Sequence, residues 1–345
     1  MTGKISRKFF EDNIINKTGA VRRDVVVPPR NGVDVGIIEI SGGYMAVTTD
    51  PIYIDVSFGL KKAAWFAFHI LASDLYTSGI RAEYMSIDLN LPKKITDDQF
   101  NEIWNVIHEE CKKYNIEVVT GHTARYAGVS FPMIGGITLM GTGDKYITTE
   151  NAAAGDSIIM SRSCGLEASV ILAYTFPEYV KNHLGSETLK SIQDKFYTMT
   201  CVPEELLAID FGIGDKITSM HDATEGGLLN SVYEIGYASE NGIRIDYDNI
   251  IINKDIEKIC SLFNINPMRS ISEGTLLLTV KSRYAVEFME KLRNSGFNSN
   301  IIGEVTEKSE GIKLIRDNKE YNIDPEDDQL WNAVSEGIKR GLKGI

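Results

Sequence analysis

Four aspartates stand where this chain turns or changes character: Asp34 in NGVDVG, Asp50 closing AVTTD before Pro51, Asp74 in ASDL, and Asp222 opening the DATEGG segment after His221. Carboxylates are hard ligands, and magnesium usually takes one or two of them together with the phosphates of a substrate. Two bare carboxylates ~4 Å apart repel by about 4 kcal/mol at an effective dielectric near 20. If these aspartates converge, a cation or a raised carboxyl pKa has to accompany them. Each also has a structural reading. Asp50 before proline and Asp34 between Gly32 and Gly36 suit turns. Asp74 fits that reading less well, because an unpaired carboxylate on an apolar helix is costly. His221-Asp222 runs into Thr224-Glu225-Gly226-Gly227. A strand, a Gly-Gly turn and a helix start aim backbone N–H groups at an anion, although a capped helix start explains the same residues. His69 and His108 fall on helices as core or surface residues. The sequence contains no G-x4-G-K-[ST], G-x-G-x-x-G, G-x-S-x-G or H-E-x-x-H motif.

The elements that must carry these residues alternate between helix and strand. Residues 4–16 read as a short amphipathic helix, followed by a strand and an extended proline-bearing arm. GIIEISGGYMAVTTDPI reads as a hairpin that Pro51 stops, and 60–78 as a helix apolar over most of its circumference. Residues 97–114 form the clearest helix: Thr96 and Gln99 make a capping box, and Phe100, Ile103, Trp104, Ile107, Cys111 and Tyr114 share a face. A strand IEVVT, a loop GHTARYAG and a strand FPMIGGITLMGTG complete this half. The small, polar TTENAAAGD marks the boundary, giving domains 1–150 and 151–345. The second half is expected to hold strands at SIIMS, KITSM, IRIDY, GTLLLTV, 300–305 and 312–315. Its helices are expected at 165–176, 204–211, 228–239, 283–295 and 329–341. The fold class is α/β (α+β).

The chain has 345 residues, room for about two domains of ~150 residues each. With 36 Lys and Arg against 48 Asp and Glu, its net charge is −12, and its basic runs are only pairs; nucleic acid is therefore not an expected partner. No apolar run reaches the ~18 residues of a membrane span. Cys111, Cys164, Cys201 and Cys260 lie far apart without a CxxC, so reduced thiols and a cytoplasmic location are expected.

The order TTDPI, ASDLYTSGIRA, VVTGHTAR, HDATEGGL, SEGTLLLTV and IIGEVTE resembles the aminoimidazole-ribonucleotide-synthase-like (AIR-synthase, PurM-like) ATP-binding superfamily over about residues 30–307, nearest its HypE-like branch. The resemblance implies an N-terminal domain that completes a barrel across a homodimer and a C-terminal α/β domain over the cleft. ATP and Mg2+ are the implied cofactors. Asp50 and Asp74 fall on metal or phosphate positions, with Asp34 matching more loosely and Asp222 on the second domain's acidic position. Thr49, Lys61, Lys62, Gly121, Thr123, Thr224, Gly226 and Gly227 fall to the nucleotide, Arg125 and Glu225 to the substrate, and His122, His221 and Asp222 to catalysis. Departures are informative. His122 stands where many members carry a carboxylate, and imidazole is a poor magnesium ligand. The last cysteine is Cys260, so the terminal cysteine of HypE has no counterpart; the early reactive cysteine of selenophosphate synthetase and the paired aspartates of thiamine-monophosphate kinase are likewise unmatched. The implied activity is phosphoryl transfer that activates an oxygen of a small-molecule or protein-borne acceptor. The alternatives are a small-molecule kinase and a non-catalytic nucleotide-binding partner of a maturation complex.

Overall fold

The computed structural model describes residues 5–342. After a short helix α1 (Arg7–Asn13), the first half builds one sheet from β1 (Val25–Val27), β2 (Gly36–Ile40) and β3 (Gly43–Tyr53). Helix α2 (Leu60–Tyr76), β4 (Tyr84–Pro92), α3 (Asp97–Lys113), β5 (Glu117–Tyr126) and β6 (Met133–Gly143) follow. The strand order is β1-β2-β3-β6-β4-β5, with β4 and β5 parallel through α3. The capping box of Thr96 and Gln99 forms as the sequence requires.

The second half contains β7 (Asp156–Ser161), α4 (Leu166–Thr175), α5 (Pro177–Gln193) and α6 (Val202–Gly212). It continues with β8 (Ile217–Asp222), α7 (Gly227–Ala238), β9 (Gly242–Asp246), α8 (Lys254–Leu262), β10 (Leu276–Lys281) and α9 (Ser282–Asn294). It closes with β11 (Ser299–Thr306), β12 (Ile312–Arg316), β13 (Lys319–Asn322) and α10 (Gln329–Lys339). Its strand order is β13-β12-β9-β11-β7-β10-β8. The fold is mixed α/β with two sheets. No helix among the described residues is long and apolar enough to cross a membrane.

Helix α2 explains how the halves meet. Its alanines and aromatics bury nearly the whole circumference, against α3 and β3 of its own half and α6 and β8 of the other. An all-round apolar helix needs neighbours on every side, and here the second half of the chain supplies part of that cover.

Four expectations are corrected. The expected loop GHTARYAG is mostly strand, because β5 pairs with β4 from Glu117 to Tyr126. Pro51 does not end β3: Asp50 and Pro51 pair with Ile137 and Gly136, while pairing with β2 stops at Val47. With one neighbour left, a proline's missing N–H can face the open side. His221 and Asp222 end β8, opposite Leu277 and Leu276, and do not begin the loop. The first expected helix is shorter, and its residue 4 lies outside the described residues.

Candidate functional site

Asp34, His221 and Asp222 each offer a ligand atom within 4.8 Å of the others. They come from both halves. Asp34 precedes β2, its carbonyl held by Thr48 Oγ1 at 3.0 Å, whereas His221 and Asp222 are carried by β8. His221 is 2% exposed and Asp222 fully buried. His221 Nδ1 lies 2.8 Å from Asp34 Oδ2, and Nε2 lies 2.9 Å from Glu234 Oε2 on α7. Carboxylates only accept, so both ring nitrogens donate and the ring is an imidazolium. Burial opposes that charge, but Asp34 and Glu234 outweigh it and hold the pKa well above 6.5. An imidazolium cannot ligate a metal. The donors left for one are the carboxylates of Asp34 and Asp222, a set that suits magnesium completed by phosphate oxygens.

Further carboxyls gather behind this pair. Burial, then the charges of Asp222 and Glu273, pushes Glu205 on α6 well up, and Asp74 contributes. Burial and the charges of Asp222 and Glu167 do the same to Glu273, although Ser73 Oγ donates to it at 2.8 Å. Neither carboxylate oxygen of Glu205 has a hydrogen-bond partner among the described residues. Such a concentration of buried acid is costly unless protonated or met by a cation. Glu167, Glu205, Glu234 and Glu273 were missed in the sequence. Glu205 hides in PEELL as an ordinary acid of a helix's first turn, and Glu273 hides in SEGTLLLTV beside its strand.

Burial pushes the Glu167 carboxyl up to about 8 against the Glu273 N–H it accepts, with Asp328, Glu225 and Asp222 adding to the rise. The unfolded carboxyl titrates near 4.5, so stability falls as pH rises from there to about 8. Glu167→Gln is expected to stabilise the protein at pH 7.5 by about 1–3 kcal/mol and to flatten that slope. Urea unfolding at several pH values measures both.

The remaining expected residues divide by sheet face. Successive strand residues point to opposite faces. Asp50 shares the helix-covered face with Thr48, the side from which Asp34 is held. Thr49 lies on the other face, its hydroxyl donating to the Ile137 carbonyl at 2.9 Å. His122, in the row Pro51–Gly136–Asp88–His122, is also on that open face, exposed, 2.8 Å from the Tyr126 hydroxyl. Gly121 and Thr123 return to the covered face but sit three strands from Asp50, about 14 Å away. Arg125 is tied to Asp97 at 2.6 Å. Lys61 is exposed, and Lys62 lies 5.7 Å from the ring centroid of Tyr174 on α4. Thr224 and Glu225 are half-buried at the start of the Gly-Gly turn.

That turn supplies its own anion. Gly226 N donates to Asp328 Oδ2 at 2.7 Å and Gly227 N to the Thr224 carbonyl at 2.9 Å. A Cβ on Gly227 would lie 2.5 Å from the Ser270 carbonyl, and φ is +62°, so only glycine fits. The two glycine amides, expected to face a phosphate, here hold Asp328 and the Thr224 carbonyl.

Comparison with known proteins decides the family. Residues 32–142 match the N-terminal domain of AIR synthase related protein, and residues 153–315 match its C-terminal domain. The chain belongs to the AIR synthase related family. A Methanocaldococcus jannaschii protein assigned to hydrogenase expression/formation is 28% identical over 244 residues, covering 70% of this chain and 69% of the relative. Carbamoyl dehydratase HypE of Rhizobium leguminosarum bv. viciae is 23% identical over 257 residues, covering 73% of this chain and 70% of the relative. The crystal structure of hydrogenase maturation protein HypE in complex with ATP superposes with a TM-score of 0.67 at 19% identity, covering 96% of this chain and 97% of that one. At that identity the structural likeness shows the fold alone.

Proposed function

We propose that this member of the AIR synthase related family is a magnesium-dependent, ATP-binding enzyme that phosphorylates, and so activates, an oxygen of a small-molecule or protein-borne acceptor. The observation that carries the reading is the meeting of Asp34 from one half with Asp222 from the other, inside a ring of buried carboxyls. Acid so concentrated must take protons or meet a cation, and oxygen donors on two domains suit a hard one. HypE relatives support the choice of ligand: one is solved with ATP, and another is named a dehydratase, a reaction in which an oxygen must leave.

In this reading Asp34, Asp50, Asp74 and Asp222 hold the metal and the polyphosphate, and Lys61 and Lys62 add positive charge at the start of α2. The metal would neutralise charge on the transferred phosphoryl group. The His221 imidazolium keeps Asp34 in place, and the packing of α2 against α6 and β8 excludes water from beneath the site. We place a second copy along β5. It is the outer strand of its sheet and exposes Val119 and Tyr126, and an open edge with apolar side chains is a template for pairing. His122 and Thr49, on the open face, would then serve a site shared between copies.

Titrating ATP with and without magnesium into Asp50→Asn and Asp74→Asn tests the assignment. Each variant should lose about tenfold or more of the magnesium-dependent affinity. Unchanged binding in both removes it. Release of inorganic phosphate, against phosphate retained on an acceptor, then separates an activating enzyme from a kinase.

A further inference from the structure

A cleft of about 570 Å³ opens in the C-terminal half between the start of α4, the segment before α6, the start of α8 and the loop before β11. Arg162, Lys195 and Lys254 line it, with Tyr197, Phe297 and Leu166 forming an apolar wall. No aspartate or glutamate is among its lining residues, in a chain of net charge −12. Another cleft, about 730 Å³, mixes Arg30 and Lys308 with Glu11, Glu150, Glu240 and Asp324, and shows no such bias.

The charges can be followed one by one. The guanidinium of Arg162 is matched by Glu204, with Nη2 2.9 Å from Oε2. Lys195 and Lys254 make no salt bridge among the described residues. Asp255, which follows Lys254 and whose pKa Lys195 helps to lower, is itself engaged by Lys258 at 2.9 Å and by Ser191 Oγ at 2.7 Å. Two positive charges therefore remain beside an apolar surface. Tyr197, 53% exposed, stands edge-on to Trp65 at 5.0 Å, so its ring is braced while its outer face stays open.

We infer that this cleft binds a phosphate monoester carrying a ring or hydrocarbon body: the dianion lies between Lys195 and Lys254, and the body rests on Tyr197 and Phe297. Two unmatched lysines balance a phosphate dianion, where a single carboxylate would leave one charge over. The volume lies within the few hundred to 1,000 Å³ of small-molecule sites, and an apolar lining with a few placed polar groups is their usual make-up. The cleft is separate from the Asp34–Asp222 site but shares a wall with it. Leu166 lines the cleft, and the next residue, Glu167, lies among the buried carboxyls. Arg162 holds Glu204, whose neighbour Glu205 belongs to the same cluster.

Calorimetric titration of phenyl phosphate into the full chain, saturated with magnesium and a non-hydrolysable ATP analogue, tests the inference. One equivalent should bind, more tightly than inorganic phosphate. The Lys195→Ala/Lys254→Ala variant should weaken binding at least about tenfold. Tyr197→Ala should erase the preference for the aryl ester over inorganic phosphate, and leaving out the ATP analogue should not change the affinity for phenyl phosphate. Undiminished binding in the double lysine variant overturns the inference. So does phenyl phosphate binding that appears only when the ATP analogue is left out, which would place the ester in the nucleotide site. Failure of Asp50→Asn to alter ATP binding bears only on the nucleotide assignment.

Discussion

Replacing Arg162 with methionine is expected to lower the unfolding free energy by about 3–5 kcal/mol. The guanidinium is 13% exposed, and its partner Glu204 is fully buried. It also donates to the Thr198 carbonyl, so one side chain satisfies a carboxylate and a backbone acceptor. Burial pushes the Glu204 carboxyl up even with Arg162 beside it, so without the cation the group must take a proton or remain charged in an apolar setting. Most of the cost comes from the stranded partner and little from the lost attraction. The double variant Arg162→Met/Glu204→Leu should therefore recover most of the stability, since apolar replacement of a buried pair is often neutral. Urea unfolding of the two single variants and the double variant closes the cycle. A single-variant cost below about 1 kcal/mol would mean that the pair behaves as an exposed one.

His221→Leu should cost about 2–4 kcal/mol, because it removes a buried cation hydrogen-bonded to two carboxylates. Asp34 and Glu234 would then face each other without the charge between them, Asp34 16% exposed and Glu234 38%. The more exposed Glu234 can turn to water, so the burden falls on Asp34, which comes from the other half of the chain. Hydrogen exchange should rise together at the end of β8 and around residues 33–36, which a purely local loss of packing at β8 would not produce. Asp34→Asn keeps an amide oxygen for the ring to bond, so its cost should be clearly smaller than that of His221→Leu. Equal costs would show that charge, and not hydrogen bonding, holds the contact.

Helix α3 was legible because its signals are local: a Thr-x-x-Gln box and a stripe at helical spacing need no partner to be recognised. Helix α2 was legible as buried, since an apolar circumference admits little else, but its neighbours α6 and β8 were not. From Gly121 on, strand β5 reads as a loop in the sequence because GHTARY has no alternation to mark it. It is extended because β4 offers a parallel partner, and its outer side stays exposed. Asp34, Asp74 and Asp222 could be suspected as carboxylates in unusual company. Glu205 and Glu273 could not, because acids at a helix start or beside a strand are ordinary until burial makes them costly.

The order of motifs along the chain determined the family, the alternation of helices and strands, and the acids to watch, since each of these is written in residue type and short spacing. Tertiary structure alone decided that His221 lies between Asp34, 187 residues away, and Glu234. It also decided that Asp50 and His122 face opposite sides of one sheet, that Asp328 fills the Gly-Gly turn, and that Lys195 and Lys254 share a cleft. These are long-range contacts. Burial, charge balance and strand facing follow from how the two halves pack, a property that no short window of sequence contains.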